Sequence, residues 1–371
     1  MFDVDLEQFW KDDELAHKDN CFSPDAPQAA LGIRMSGECV FAELGEDGQP
    51  WGYTPVERRL ELNKRYNEKA IKIVGRPLLS EKIGRPPDAS FPPVKRIGEV
   101  FGGRYFMHNE TEWLEGNVST PQELKKLLDN VEKMDIREFI LPPNWEQEKR
   151  RIYEQYGFKP GGIRAIRGPV TLATSIYGVE NLIFLIYDEP ALAKRFSKVI
   201  GDVIIKMARI MDEEAGYTRD NAPRGFGFAD DNCALLTDEM YELFGYPVLK
   251  RVFDEFCPDE GDNRYQHSDS AMEHLLPILG RLNLTGCNFG PTVLVDKIRK
   301  HLPKTRIDGC LAPFTFMSNN DEDIIMEVKR DCEMACQSRG LNVFTAGSIN
   351  NGSLLTSMRA VMYAIQNYGR Y

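Results

Sequence analysis

Apolar and polar positions in the second half of the chain fall into a repeating rhythm. Short strand-like runs end in small, polar or metal-capable residues, and longer stretches follow in which apolar residues step by three or four. Four runs share this form: Arg264–Tyr265–Gln266–His267–Ser268–Asp269–Ser270, then 282–291, 305–314 and 341–352. The spacing predicts helices between them over 272–280, 292–301 and 321–339. Upstream, Gly225–Phe226–Gly227–Phe228–Ala229–Asp230–Asp231–Asn232 reads as another strand end, and Gly168–Pro169–Val170–Thr171–Leu172–Ala173 as a strand. A long helix opens at Asp188–Glu189–Pro190 and carries Leu192, Phe196, Val199, Val203, Met207 and Ile210 on one face. Another runs from Thr237 to Phe256, interrupted at Pro247. Strand–helix alternation implies a parallel sheet with helical crossovers, and eight such units close into a TIM-type (β/α)8 barrel of the α/β class.

The first half is less regular. Residues 1–60 read as an irregular, aromatic-rich cap with Phe9, Trp10, Phe22, Phe41, Trp51 and Tyr53, a strand at Cys39–Val40–Phe41–Ala42 and a turn at Glu46–Asp47–Gly48–Gln49. A helix follows from Pro55 to Ile73 with Thr54 as N-cap. Pro77, Pro86, Pro87, Pro92 and Pro93 mark an extended connection. Loose alternation from Gly98 to Val118 suggests a hairpin, Thr120 and Glu123 form a capping box, and Asn144 to Tyr156 is a charged surface helix. The whole is expected to be one barrel domain, 1–371. Residues 1–160 would hold the cap and first barrel elements, and 161–371 the regular repeats.

Composition narrows the function classes. The 371 residues are 42% hydrophobic and 28% charged, enough for a sizeable core. A net charge of −11 argues against nucleic acid or an anionic membrane as partner. No apolar run approaches the roughly 20 residues that span a bilayer, and the start lacks a signal pattern. A cytoplasmic location is expected. Eight cysteines without a C-x-x-C pair read as reduced thiols. Cys332 and Cys336 share a helix and read as small buried hydrophobes.

In such a barrel the ends of the strands carry the chemistry. His267 and Asp269 follow one strand, and an imidazole and a carboxylate are both zinc ligands. Cys287 or Cys310, at the next strand ends, would complete a three-ligand catalytic set with an open position. The alternatives are a hydrogen-bonding or general-acid role for His267 and buried packing for the thiols. Asp230 and Asp231 are either a cap pair for the helix that follows Asn232 or carboxylates in the mouth, with Asp230 the catalytic candidate. No P-loop, dinucleotide fingerprint or G-x-S-x-G elbow occurs.

Taken in order, Arg167–Gly168–Pro169–Val170–Thr171–Leu172, Ala229–Asp230–Asp231, His267–Ser268–Asp269, Asn288–Phe289–Gly290–Pro291 and 346–352 resemble the uroporphyrinogen decarboxylase superfamily. The resemblance covers about residues 160–371 and implies the barrel. True decarboxylases carry an M-R-Q-A-G-R arginine motif and a histidine in a late G-H-G loop. Here the corresponding stretches are Ile33–Arg34–Met35–Ser36–Gly37 and Gly347–Ser348–Ile349, so the carboxylates of a tetrapyrrole would lack partners. The methyltransferase branch holds zinc with an H-x-C pair and a later cysteine; this chain matches at His267, with Asp269 for the first cysteine and Ser348 near the second. Such a site suits a substrate bound through oxygen.

Phe9–Trp10–Lys11–Asp12–Asp13–Glu14–Leu15–Ala16–His17 and Leu311–Ala312–Pro313–Phe314–Thr315–Phe316 look like the aryl methyl ether O-demethylase methyltransferases of anaerobic acetogens. That resemblance implies methyl transfer from a methoxylated aromatic to the Co(I) of a separate corrinoid protein. His267, Asp269 and Asp230 would be catalytic, and Asp231, Asn288, Ser348 and Asn350 would contact substrate. The cap aromatics would wall the ring. The alternatives are a uroporphyrinogen-type decarboxylase and a non-catalytic barrel binding subunit; oligomeric state is open, with a homodimer an ordinary outcome.

Overall fold

The computed structural model describes residues 2–371 except Gln49, Trp51, Asn109, Glu110 and Asn350. Nine strands occur among the described residues: β1 (Ala30–Leu31), β2 (Arg104–His108), β3 (Thr111–Glu115), β4 (Ala165–Arg167), β5 (Phe226–Ala229), β6 (Arg264–Ser268), β7 (Gly286–Phe289), β8 (Arg306–Leu311) and β9 (Leu341–Thr345). Seven form one parallel sheet in the order β1-β9-β8-β7-β6-β5-β4, and β2 and β3 form a separate antiparallel hairpin. The fold is a TIM-type α/β barrel with seven assigned strands where eight were expected. All four opening runs are strands of this sheet.

The chain divides into two compact units, one of Met1–Gly84, His267–Leu276 and Asn283–Tyr371, the other of Arg85–Gln266 and Pro277–Leu282. In the first, β1 pairs with β9 through Ala30 and Asn342, so the N-terminal segment supplies a strand of the sheet. Three of its aromatics are used in packing. Phe9 is fully buried, the Trp10 indole donates to the Val74 carbonyl at 2.7 Å beneath the Arg76 guanidinium, and the Phe22 ring packs where a Cβ on Gly340 would sit. Phe9, Trp10 and Phe22 are therefore committed to the fold and do not serve as a substrate wall. Trp51 lies outside the described residues, as does Gln49 of the expected 46–49 turn.

The expected strand at 39–42 is instead helix Val40–Leu44, ended by Gly45 at φ 65° in the left-handed conformation that stops helices. The next helix, Val56–Val74, has Pro55 as its N-cap in place of Thr54. In the second unit, helix Pro190–Glu214 buries the predicted face, and Phe196 meets Phe101 and Phe244 edge-on at 6.1 and 5.7 Å. The 237–256 stretch is two helices, Asp238–Phe244 and Tyr246–Phe256, which break at Gly245 just ahead of Pro247. The Thr120–Glu123 capping box is present.

Residues 168–173 are the largest local departure. The strand is the preceding Ala165–Arg167, and Pro169 opens helix Pro169–Tyr177. Proline at the first helical position gives up an N–H that has no intrahelical partner there, so the apolar run was read with the wrong period. Among the described residues no single helix is long and apolar enough to cross a membrane; one bent pair, Pro169–Tyr177 with Val179–Asp188, passes on length and composition only together.

Candidate functional site at the strand ends

β6 alternates strictly at its end. Gln266 and Ser268 are buried, and His267, half-buried, points to the opposite face. Its Nδ1 lies 2.7 Å from Oδ1 of Asn288, which is 5% exposed on β7. The same Oδ1 accepts the Gly347 N–H at 3.0 Å, and the Asn288 amide nitrogen donates to the carbonyls of Thr345, at 3.0 Å, and Asp308. Asp269 leaves the strand one residue on and is exposed. Its carboxylate comes so near the turn after β9 that a Cβ on Gly347 would stand 3.1 Å from Oδ2, and Gly347 itself has φ +99°. Glycine is needed there for both reasons. Ser348, next in the turn, is exposed. The structure thus brings together His267, Asn288, Asp269 and the Gly347–Ser348 turn; Asn350 lies outside the described residues.

Asn288 does not fit the expected role in substrate contact. Both its polar atoms are spent on protein partners inside the sheet, which leaves it to hold His267 and the turn in place. The thiols are corrected too. Cys287 precedes Asn288 on β7, so strand alternation turns it to the face away from His267. It is fully buried, and burial pushes its thiol well up. Cys310 is also fully buried; burial and then the neighbouring Asp331 carboxylate, which accepts the Cys310 N–H at 3.1 Å, push its thiol far up as well. Cys287 and Cys310 are packing residues. Cys332 is buried as expected, whereas Cys336 is exposed at the helix end.

The end of β5 is built differently. Asp230 is wholly buried and accepts the backbone N–H of Thr171 at 2.7 Å and of Val170 at 3.4 Å. Those are first-turn donors of helix Pro169–Tyr177, whose own N-cap, Gly168, has no side chain to offer. Asp230 caps that helix from another strand. The fit requires glycine at 168, since a Cβ there would stand 2.2 Å from the Asp230 Cβ. Burial pushes the Asp230 carboxyl up to about 6 against the lowering effect of these N–H groups. The expected cap on the following helix is not formed by Asp230, whose side chain makes no bond there; it caps the preceding helix instead, and its catalytic assignment is withdrawn because its carboxylate is wholly buried against that helix. Asp231 begins the next turn and is half-buried.

One polar layer went unnoticed in the sequence. Arg306 and Asp308, two apart on β8, pair through Nε–Oδ1 at 2.8 Å and Nη2–Oδ2 at 2.9 Å, and Asn342 of β9 donates to Oδ1 at 2.8 Å. Their i, i+2 spacing was the available signal, since strand alternation puts both on one face.

Parallel strands whose C-terminal ends carry an oriented imidazole and an exposed carboxylate define a barrel of the enzyme-bearing type. The uroporphyrinogen decarboxylase (URO-D) family model matches residues 162–368, more than half of the chain. The chain belongs to that family. Among solved structures it is similar to a methyltransferase from Methanosarcina mazei, with 15% identity over 98% of each chain and a TM-score of 0.57, a likeness of fold. No curated protein matches significantly in sequence.

Proposed function

We propose that this URO-D family barrel is a methyltransferase that moves a methyl group from a methoxylated aromatic, or a similar O-methyl donor, to the reduced cobalt of a separate corrinoid protein. The observation that carries the reading is the donor set at the end of β6: a held imidazole and, two residues on, an exposed carboxylate, with the cysteine thiols packed elsewhere. Nitrogen and oxygen donors suit activation of an ether oxygen better than activation of a thiol.

His267 and Asp269 also fit two positions of a divalent-ion site, zinc being the ion the family resemblance suggests. They offer one ring nitrogen and one carboxylate, without the thiolates once expected. A bound ion would supply Lewis-acid stabilisation of the leaving oxygen. The residues themselves orient the donor. Asn288 holds the imidazole and the Gly347–Ser348 turn backs Asp269, so that the His267 Nε2 lone pair and the Asp269 carboxylate are placed to hold such an ion, whose charge would offset that developing on the phenolate oxygen as the methyl–oxygen bond breaks and the methyl group passes to cobalt. Ser348 is the side chain we assign to substrate contact.

The test is incubation of the purified protein with a reduced corrinoid protein and a panel of methoxylated aromatics, following methylcobalamin formation by absorbance. Transfer from at least one donor supports the reading. Silence across the panel overturns it.

A further inference from the structure

The geometry points to a specific job for Asn288. We propose that it is the positioning residue for His267, holding the neutral ring as its Nδ1–H tautomer so that Nε2 presents a lone pair.

The orientation of an asparagine amide is decided by its partners. Here two partners, the carbonyls of Asp308 and Thr345, can only accept, so they must face the NH2 group. A third, the Gly347 N–H, can only donate, so it must face Oδ1. Flipping the amide would set an oxygen against two carbonyl oxygens and an NH2 against an N–H. One orientation satisfies all three backbone groups. Oδ1 is thereby fixed as an acceptor, and the ring nitrogen 2.7 Å from it must donate. That nitrogen is Nδ1. A neutral imidazole carries one proton, so its other nitrogen, Nε2, is an acceptor or a ligand.

Asn288 is buried, and its bond to the ring is little competed by water. It reads the backbone of β8, β9 and the Gly347 turn, and from them sets the protonation pattern of a side chain on β6. Without it, a neutral histidine in water prefers the proton on Nε2, which would turn a donor toward any cation or proton-bearing group brought to that atom. The chemical class that the His267 Nε2 takes is therefore a divalent cation or a hydrogen-bond donor. This inference rests on the geometry alone and survives a failure of the methyltransferase reading.

The experiment is nitrogen NMR of the imidazoles in the full chain, at a pH where the ring is neutral. The sequence has five histidines, and comparison with His267→Gln assigns the signal of interest. The wild type is expected to show a pyrrole-type Nδ1 and a pyridine-type Nε2 at His267. In Asn288→Ala the proton is expected to move to Nε2 or to average between the two nitrogens. Asn288→Asp keeps an oxygen toward the ring, so it is expected to retain Nδ1–H even if its melting temperature falls. A loss of packing alone would not interchange the two nitrogen signals. Should Asn288→Ala fail to fold, the wild-type and Asn288→Asp spectra decide the matter. Nε2–H in the wild type, or an unchanged tautomer in folded Asn288→Ala, would overturn the proposal.

Discussion

Asp230 at the end of β5 and Asn288 near the end of β7 are both buried polar side chains on parallel strands. Both bond chiefly to backbone groups. They differ in what remains. Asp230 turns both oxygens to the first turn of a helix, so its hydrogen bonds serve the fold. Asn288 spends its nitrogen on two carbonyls but shares its oxygen with an imidazole that has a second, chemically active nitrogen. A buried polar group at a barrel rim is thus no sign of chemistry by itself; the destination of its last hydrogen bond decides.

The largest effect should come from His267. Replacing it with alanine is expected to lower methyl transfer by about 10²–10³-fold, the usual loss when support for developing charge is removed. Corrinoid methylation rates check this, and an unchanged rate would leave the Asn288–His267 pair as structure only. Next is Gly168→Ala. Its new Cβ would fall 2.2 Å from the Asp230 Cβ, and overpacking of this kind should cost about 3 kcal/mol of stability. Denaturant unfolding reads it. A cost near zero would mean that the cap is not held tightly.

Asp230→Asn sharpens the contrast through pH. The folded carboxyl is pushed up to about 6 by burial, above its ordinary 3.8. Between those values the folded state keeps a proton that the unfolded chain has released. The contribution is full below the unfolded value and lost as pH rises through the folded one, roughly 3 kcal/mol in all. Stability measured from about pH 4 to pH 7 should fall in the wild type by up to that amount and level off. In Asp230→Asn, which keeps an oxygen for the Thr171 N–H, the fall should be absent; an identical slope would rule Asp230 out as its source. The smallest effect is expected for Cys287→Ala. Loss of one buried sulfur should cost about 1–2 kcal/mol of stability and leave methyl transfer within about twofold. Loss of activity in a stably folded variant would return the thiol to the site.

Legibility followed periodicity. Strands β5 to β9 were readable because their runs are short, bounded and followed by helical spacing, and His267 and Asp269 stood out as chemistry-bearing types at a strand end. Residues 168–173 were misread because a buried helix and a buried strand are equally apolar over so short a run. Phe9, Trp10 and Phe22 were misassigned for a similar reason: exposed or buried, their residue types are the same.

By itself the sequence determined the class of fold, the order of its units and the positions that bring nitrogen and oxygen donors to strand ends, because those depend on spacing along the chain. Which of those side chains act was decided in three dimensions. Asp230 was claimed by a helix that precedes it by some sixty residues, and Cys287 was turned away by the pleat. Asn288 was bound by the backbones of two other strands. A buried polar atom must find a partner wherever the fold brings one, and partners distant in sequence leave no trace in local pattern.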